Sequence, residues 1–290
     1  MQKPFRSLNF LAVVLVAASL SACGSSDDSP SAATSSTPPT PTTESPSANP
    51  PQSSAQVACS PNGSFTYSGS ASQVAPSNGT LAVVVVPTLP AAYQKNRNFT
   101  ASAAPASSQV QQASGAFTTL ASSGAATDCL GLEHGAVSDI QGVGSDVAIG
   151  RWNAAMDTDG NTYNNVQGVH YAVGTPLSLT ATSGTLACTQ VIADTVASND
   201  GTAAGTLGTT SATLDLGTRT LNNLSMSINL ANTNYTLTNT QAPLNGTSTT
   251  GHLSIQSVVV GHDATQPLVA LGYSATLPQT IGGVVVLSCK

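Results

Sequence analysis

The sequence predicts a mostly β protein, in which an antiparallel β-barrel of about eight strands follows a β-rich N-terminal extension. Three observations predict this fold. Short apolar–polar alternations recur through the second half of the chain, turns rich in Gly, Asn and Thr separate them, and only 7% of the residues are charged. A long antiparallel sheet with no helices between its strands usually curls closed, because closure removes its unpaired edges.

Residues 1–22 have the pattern of a bacterial signal peptide. Lys3 and Arg6 supply a positive start, and the apolar run from Phe10 to Leu20 has the length of a signal core. This run is too short to span a bilayer as a helix. We therefore expect the segment to be removed during export.

The signal peptide ends in Leu20-Ser21-Ala22-Cys23, which resembles the lipobox of bacterial lipoproteins. The resemblance implies that Cys23 carries a lipid (a palmitate label would report it) and holds the rest of the chain on a membrane. Gly24 follows Cys23 where an Asp would signal retention in the inner membrane, so we expect the outer membrane. The sequence leaves open whether the domain is periplasmic or exposed on the surface, and a secreted protein with a chance cysteine is the alternative.

Residues 23–56 form a linker that consists almost entirely of Ser, Thr, Pro and Ala. Such a segment cannot bury enough apolar surface to offset its ordering entropy, so we expect it to be disordered. At about 3.1 Å per residue it would reach roughly 100 Å from the membrane.

The charge of the mature chain bears on its partners. Without Lys3 and Arg6, five basic residues face 13 acidic ones, which gives a net charge of −8. The five basic residues are scattered, so they cannot neutralise a phosphate backbone, and nucleic acid is excluded as a partner.

Four cysteines follow Cys23: Cys59, Cys129, Cys188 and Cys289. An even number in an oxidising compartment predicts two disulfides. A metal site would require closer spacing, such as C-x2-C, and none occurs. Three pairings are possible. We favour Cys59–Cys129 with Cys188–Cys289, which ties each half of the domain to itself.

The strands of the predicted barrel fall within residues 145–290. The first two are 148–153 and 166–173, joined by a hairpin turn at Asp157–Asn161, and the residues from Leu224 to Leu230 alternate without a break. Residues 57–144 are less regular. We expect strands at 64–67 and 81–86, and apolar residues at helical spacing between Ala106 and Leu120 predict a short helix.

Several short motifs resemble, in their order, the soluble eight-stranded β-barrel of transferrin-binding-protein-B-like surface lipoproteins and of many FecR-type proteins. The motifs are Ile149-Gly-Arg-Trp152, His170-Tyr-Ala-Val-Gly174, Ser183-Gly-Thr185, Thr213-Leu-Asp-Leu-Gly217, Leu271-Gly-Tyr273 and Gly282-Gly-Val-Val-Val286. The resemblance implies a barrel over residues 145–290. Two positions depart from it: Cys188 stands where that barrel usually has an aromatic residue, and the last strand ends in Cys289.

No motif for catalysis, nucleotide binding or a cofactor occurs in the sequence, and no residue pattern points to a metal. Trp152, His170 and Tyr171 are the weak candidates for ligand binding. We expect Trp152 to fill the barrel interior together with Leu214, Ile228 and Ile255, and stacking on a ligand is the alternative. The adjacent pairs Glu133-His134 and His262-Asp263 place a carboxylate beside an imidazole, as metal or acid–base sites do. Neighbours in a strand point to opposite faces, which favours polar loop residues instead.

These observations lead us to expect a non-enzymatic outer-membrane lipoprotein that binds a protein or small-molecule partner or has a structural role at the envelope. Two alternatives stay open. The resemblance allows a role in haem or iron acquisition, with His170 and Tyr171 as axial ligands, and a tethered periplasmic hydrolase would need a cleft with convergent polar groups.

Overall fold

The computed structural model describes residues 52–94 and 97–290; Cys23, the predicted signal peptide and the linker up to Pro51 lie outside the described residues. The described chain starts with a short helix, α1 (Ser54–Ala58), in which the Ser53 hydroxyl accepts a hydrogen bond from the Gln56 N–H over 3.1 Å. This helix overlaps the last residues assigned to the linker. Within the described ranges, no helix has the length and apolar character that crossing a membrane requires.

The first sheet contains nine strands. Two single 3₁₀ turns, Ala91–Tyr93 and Ala106–Ser108, lie in the connections between them. The strands are β1 (Phe65–Gly69), β2 (Thr80–Thr88), β3 (Phe99–Pro105), β4 (Val110–Gln111), β5 (Phe117–Ala121), β6 (Cys129–Val143), β7 (Val147–Asp157), β8 (Thr162–Tyr163) and β9 (Gly168–Gly174). Their order is β3-β2-β9-β7-β6-β5-β4, with β8 paired to β7 and with β1 paired in parallel to β6.

The second sheet contains the remaining nine strands and is antiparallel. They are β10 (Thr185–Ala193), β11 (Thr195–Ser198), β12 (Ala204–Asp215), β13 (Thr220–Leu230), β14 (Thr233–Pro243), β15 (Gly246–Thr250), β16 (Leu253–Val260), β17 (Leu268–Thr276) and β18 (Thr280–Cys289). The order is β14-β13-β12-β10-β18-β17-β16-β15, and β11 pairs with β12 and β18. The outermost strands, β14 and β15, meet through side chains: Asn239 Nδ2 donates to Ser248 Oγ over 3.4 Å.

The prediction of a mostly β chain with antiparallel sheets is confirmed, but the strands form two sheets rather than a single eight-stranded barrel. The strands predicted to open the barrel, at 148–153 and 166–173, belong to the first sheet as parts of β7 and β9. The curled second sheet begins only at Thr185. An apolar pattern shows which faces of a strand are buried; it does not show which neighbour completes its ladder.

Both faces of the first sheet are covered at its centre, which explains the unbroken apolar run of β2. The side chains of Leu81, Val83 and Val85 pack into the core of the first sheet, together with Trp152. Those of Ala82, Val84 and Val86 face the second sheet. A strand buried on both faces has no polar alternation, and such a continuous run is the sequence signal for a central strand.

The two sheets pack face to face through what we call the inter-sheet layer. It consists of twelve buried apolar residues: Ala82, Val84, Val86, Val147, Ile149, Ala172, Val258, Val260, Leu268, Ala270, Val284 and Val286. Gly272 permits the close approach, because a Cβ atom there would lie 2.5 Å from Val86 Cγ2. β17 can therefore lie directly against β2.

The interior of the second sheet is filled by apolar side chains. Leu214, Ile228 and Ile255 share this core, as expected for the apolar members of alternating strands. Trp152 does not join them, since β7 lies in the first sheet. The prediction that Trp152 fills the barrel was wrong, although its complete burial was foreseen.

The short helix predicted between Ala106 and Leu120 does not form. A single 3₁₀ turn, the two-residue strand β4 and the buried strand β5 occupy this segment. Gly115 has a φ of +88°, and its N–H donates to the Gln112 carbonyl over 2.9 Å, so the chain reverses where the helix would continue. The helical spacing of Val110 and Phe117 was therefore a coincidence of two strands.

The structure joins Cys59 to Cys129 and Cys188 to Cys289, the pairing that the sequence favoured. Cys188 and Cys289 lie directly opposite each other in the ladder of β10 and β18 and inside the second core. Cys59 follows α1, so its disulfide fastens the start of the described chain to β6. The two bridges close loops with sequence separations of 70 and 101 residues.

Mass mapping of the mature protein without reduction should yield only Cys59–Cys129 and Cys188–Cys289 peptides and no free thiol among the four. Replacing Cys188 and Cys289 together by Ser should lower the free energy of unfolding by about 4 kcal/mol, because the unfolded chain regains the entropy of a long loop. Urea unfolding measures this loss. Two or more free thiols in exported protein would contradict the assignment.

Replacing Trp152 by Ala should lower the melting temperature sharply, since it empties a fully buried site at a cost of about 3–5 kcal/mol. Trp152→Phe is the matched control: it keeps a buried aromatic ring and loses part of the volume and the hydrogen bond from Nε1 to the Phe117 carbonyl, 2.7 Å long. Circular dichroism melts measure both variants. An unchanged midpoint for the Ala variant, with wild-type fluorescence as red-shifted as in water, would place Trp152 at a surface.

Candidate functional site

A hydroxyl, an imidazole and a carboxylate form a relay between the two sheets. Thr88 ends β2, His170 lies in β9, and Asp194 sits between β10 and β11 of the other sheet. The Thr88 Oγ1 atom lies 2.9 Å from His170 Nε2, and His170 Nδ1 lies 2.5 Å from Asp194 Oδ2. The second Asp194 oxygen accepts the backbone N–H of Val284 over 2.8 Å. The relay therefore connects β2 and β9 to β18.

The relay is cut off from solvent. Thr88 is 1% exposed, and the side chains of His170 and Asp194 are 0% exposed. Burial raises the pKa of Asp194 above its ordinary value, and the His170 ring opposes this rise. The pair avoids the cost of an isolated buried charge because each ring nitrogen and each carboxylate oxygen has a partner.

The Thr88 hydroxyl has a second acceptor, the Gly168 carbonyl, 3.1 Å away. When Thr88 donates to Gly168, His170 Nε2 must carry a hydrogen and donate to Thr88. The contact between Nδ1 and Asp194 then requires a second proton, which the imidazole and the carboxylate share.

Chemically, the same three groups in this order activate a hydroxyl nucleophile in hydrolases. In this structure, however, the Thr88 hydroxyl is not accessible to a substrate. Thr88 is buried, and its methyl Cγ2 would lie 2.8 Å from a Cβ atom on Gly282, so a substrate carbonyl cannot reach the hydroxyl in this conformation. In this conformation the relay joins the two sheets, and all of its hydrogen bonds are made to groups of the protein itself.

Further polar contacts cross between the sheets beside the relay. Gln141 Nε2 of β6 donates to the Ala193 carbonyl over 2.8 Å, and the Thr195 hydroxyl donates to Asp139 over 3.1 Å. Asp139 also pairs with Arg151 Nε at 3.1 Å, and Arg151 is 5% exposed. The interface between the sheets thus has an apolar layer and a hydrogen-bonded margin.

The three ligand candidates from the sequence are all internal. His170 belongs to the relay, whereas Trp152 and Tyr171 belong to the core of the first sheet. The Tyr171 hydroxyl accepts the Phe117 N–H over 3.0 Å, and its ring meets that of Phe117 edge-on at 5.9 Å. Burial raises the pKa of Tyr171, so its phenol stays protonated. None of the three presents an atom to a ligand at the surface.

The sequence pattern missed Thr88 and Asp194, the partners of His170. Thr88 stands at the end of the apolar run of β2, and a polar residue closing a buried strand was the available signal. Asp194 lies 24 positions beyond His170 in the chain, next to strands of the other sheet. Its position depends on how the sheets pack, which no local pattern shows.

Glu133 and His134 are consecutive residues of β6, so the expectation that they lie in a loop was wrong. The second pair suggested by sequence adjacency, His262 and Asp263, does not share partners. His262 Nδ1 lies 2.6 Å from Asp146, across the junction of the sheets, while Asp263 accepts the Thr265 N–H and hydroxyl. The Asp146 carboxylate accepts a hydrogen bond from the His262 ring, and this bond raises the pKa of the exposed His262. Among the described residues, no group of three or more His, Cys, Asp or Glu could hold a metal ion.

The turn from Asp157 to Asn161 joins β7 and β8, which confirms the predicted hairpin. The Asp157 carboxylate accepts the backbone N–H groups of Asp159 and Asn161, each over 3.0 Å, and pairs with Arg97 Nε at 3.1 Å. Arg97 also pairs with Asp159. These carboxylates stabilise the turn and balance a buried guanidinium, in a cavity of about 490 Å³ beside Cys59–Cys129.

No family model and no curated protein matches this chain. Among solved structures, it is similar to a double mutant of the vaccine antigen transferrin-binding protein B from Haemophilus parasuis Hp5, with 10% sequence identity and a TM-score of 0.30. The match covers 72% of this chain and 45% of that one, so the chain spans less than half of the length of that protein. A likeness of this degree decides neither the topology nor a ligand.

Replacing Thr88 by Val should lower the free energy of unfolding by about 1–3 kcal/mol, because it leaves His170 Nε2 buried without a partner. Thr88→Ser keeps the hydroxyl and should cost less than Thr88→Val. Thr236→Val, at an exposed position of β14, is the control and should stay within about 0.5 kcal/mol of wild type. Urea unfolding followed by Trp152 fluorescence measures all three.

Two results would contradict a purely structural relay. One is a Thr88→Val variant as stable as wild type. The other is covalent labelling of Thr88 by a fluorophosphonate, which reacts only with an accessible, activated hydroxyl.

Proposed function

We propose that this chain is an outer-membrane lipoprotein in which a lipid on Cys23 and the linker of residues 23–56 hold a rigid, non-enzymatic binding module at the cell envelope. The Leu20 to Cys23 stretch supports the lipid, and the Ser, Thr and Pro content of the linker supports a tether. Two disulfides in the body agree with an oxidising compartment.

The observation that carries the binding role is the closed relay of Thr88, His170 and Asp194. The polar groups of the relay are hydrogen-bonded to each other across the two sheets, which the inter-sheet layer also holds together. A body fixed in this way presents its surface without an ordering cost when a partner binds. Preorganisation of that kind is more useful to a binding module than to an enzyme that must admit substrate.

The charge of the body limits the partners. Between Gly201 and Gly261 the sequence has only Asp215 and Arg219 as charged residues, so the outer face of the second sheet consists mainly of Ser, Thr and Asn. Such a surface suits a neutral protein or small-molecule ligand that makes many hydrogen bonds. It does not suit nucleic acid, which requires a basic patch.

A tethered hydrolase is the alternative that a specific observation favours, namely the order of the three groups in the relay. It requires the sheets to separate at Thr88 so that a substrate can enter. A haem or iron role through His170 and Tyr171 has less support, because both side chains are buried and hydrogen-bonded.

Labelling with radioactive palmitate should mark the wild-type protein and not Cys23→Ala, since the thioether forms on that thiol. After separation of the membranes on a density gradient, wild type should be found in the outer membrane. Ser21→Ala keeps the thiol and is the matched control. Label in the Cys23→Ala protein, or wild type that stays soluble after cell disruption, would overturn the proposed anchor.

A further inference from the structure

A polar pocket of about 230 Å³ lies where the outer face of β15, β16 and β17 meets the start of β3. Nine of the described residues line it, and none of these nine is charged. Those on which the argument rests are Asn98, Thr247, Thr249, Ser254, Gln256 and Ser274. We call it the β15–β17 pocket.

The ladders place these side chains on one face. Thr247 lies opposite Gln256, which lies opposite Gly272, and this triplet forms one row across the three strands. Thr249, Ser254 and Ser274 form the next row on the same face, two residues along each strand. Gly272 adds no side chain to the first row, and the Val84 and Val86 side chains of β2 occupy the space above its backbone.

One wall of the pocket is held rigidly by an amide pair across the sheets. Gln256 is 7% exposed, and its Nε2 donates to the Val85 carbonyl over 2.9 Å and to Asn98 Oδ1 over 2.7 Å. The Thr100 hydroxyl donates to Gln256 Oε1. These bonds fix the orientation of Asn98, whose Nδ2 has no hydrogen-bond partner in the described part of the chain.

Other polar groups of the pocket are also unused. The Thr247 and Ser274 hydroxyls form no hydrogen bond with any described residue, whereas Thr249 and Ser254 bond to each other over 2.9 Å. Free hydroxyls both donate and accept, and the free amide of Asn98 donates. The described lining residues thus offer neutral groups of both kinds, and they include neither the cation that a phosphate requires nor the carboxylates that a metal requires.

We propose that the β15–β17 pocket binds one neutral sugar ring of a glycan. A sugar carries adjacent hydroxyl groups that each donate and accept, which matches the lining. The volume is below the range of about 300–1,000 Å³ that larger organic ligands occupy, so it suits a single ring whose neighbours extend into solvent. This inference rests on the proposed function, since it supplies a ligand class for a binding module.

The affinity for one ring should be low, with a Kd of about 1 mM, because the pocket is shallow and no aromatic ring lines it. Saturation-transfer difference NMR detects such binding on the ligand. The sample is the mature lipoprotein in detergent micelles. The detergent must have no sugar head group, because such a head group would compete with the probes for the pocket. The probes are the methyl glycosides of glucose, galactose and N-acetylglucosamine, with glucuronate and inorganic phosphate as charged comparisons.

We expect at least one neutral glycoside to receive saturation from wild type, and the charged probes to receive less. Thr247→Val removes a free hydroxyl at constant shape and should weaken binding about fivefold, the effect of one hydrogen bond. Thr247→Val with Ser274→Val should abolish it. Thr236→Val, the exposed threonine of β14, should bind as wild type does. Thr247 is exposed, so its single variant should fold normally.

The proposal is overturned if no neutral glycoside receives saturation, if glucuronate or phosphate binds better, or if Thr247→Val binds as strongly as wild type. These results are separate from a failure of the proposed function. A missing palmitate label or a reactive Thr88 would refute the anchor or the non-enzymatic role, whereas loss of the sugar alone leaves both standing.

Discussion

The packing of the first sheet on the outer face of the second is the constraint on which the other features depend. Twelve buried apolar residues form the inter-sheet layer, and nine-stranded sheets lie on either side of it. Burying this much apolar surface keeps the central strands of both sheets from moving independently. The relay, the margin around Asp139 and the wall of the β15–β17 pocket all lie at the edges of this layer.

A buried polar relay inside such an interface adds specificity to the apolar packing. Apolar side chains tolerate small shifts between two sheets, whereas the bonds from Thr88 through His170 to Asp194 tolerate almost none. A displaced register would leave an imidazole and a carboxylate without partners at a high cost. The relay therefore favours one relative position of the sheets, and the same position brings Asn98 of the first sheet to Gln256 of the second.

The geometry also separates two roles that the sequence could not distinguish. A histidine within hydrogen-bond reach of a hydroxyl and a carboxylate is a common catalytic arrangement, and His170 has both. Complete burial changes what these groups can do, because catalysis requires access and structural hydrogen bonding requires its absence. The nine described residues that line the β15–β17 pocket include no charged residue and no histidine, and the proposed neutral ligand rests on this composition.

The sequence by itself determined the β class, the hairpin at Asp157–Asn161 and the number of disulfides, because strand alternation, turn residues and the count of thiols can be read along the chain. The pairing that it favoured among three was decided by the structure. The sequence also predicted a strand at 81–86, which lies within β2. Only the tertiary structure decided that β7 and β9 belong to the first sheet, that Trp152 lies in a different core from Ile228, and that His170 meets Asp194. Those facts depend on which strands pair and which faces pack, and a pattern of burial along one strand is compatible with many neighbours.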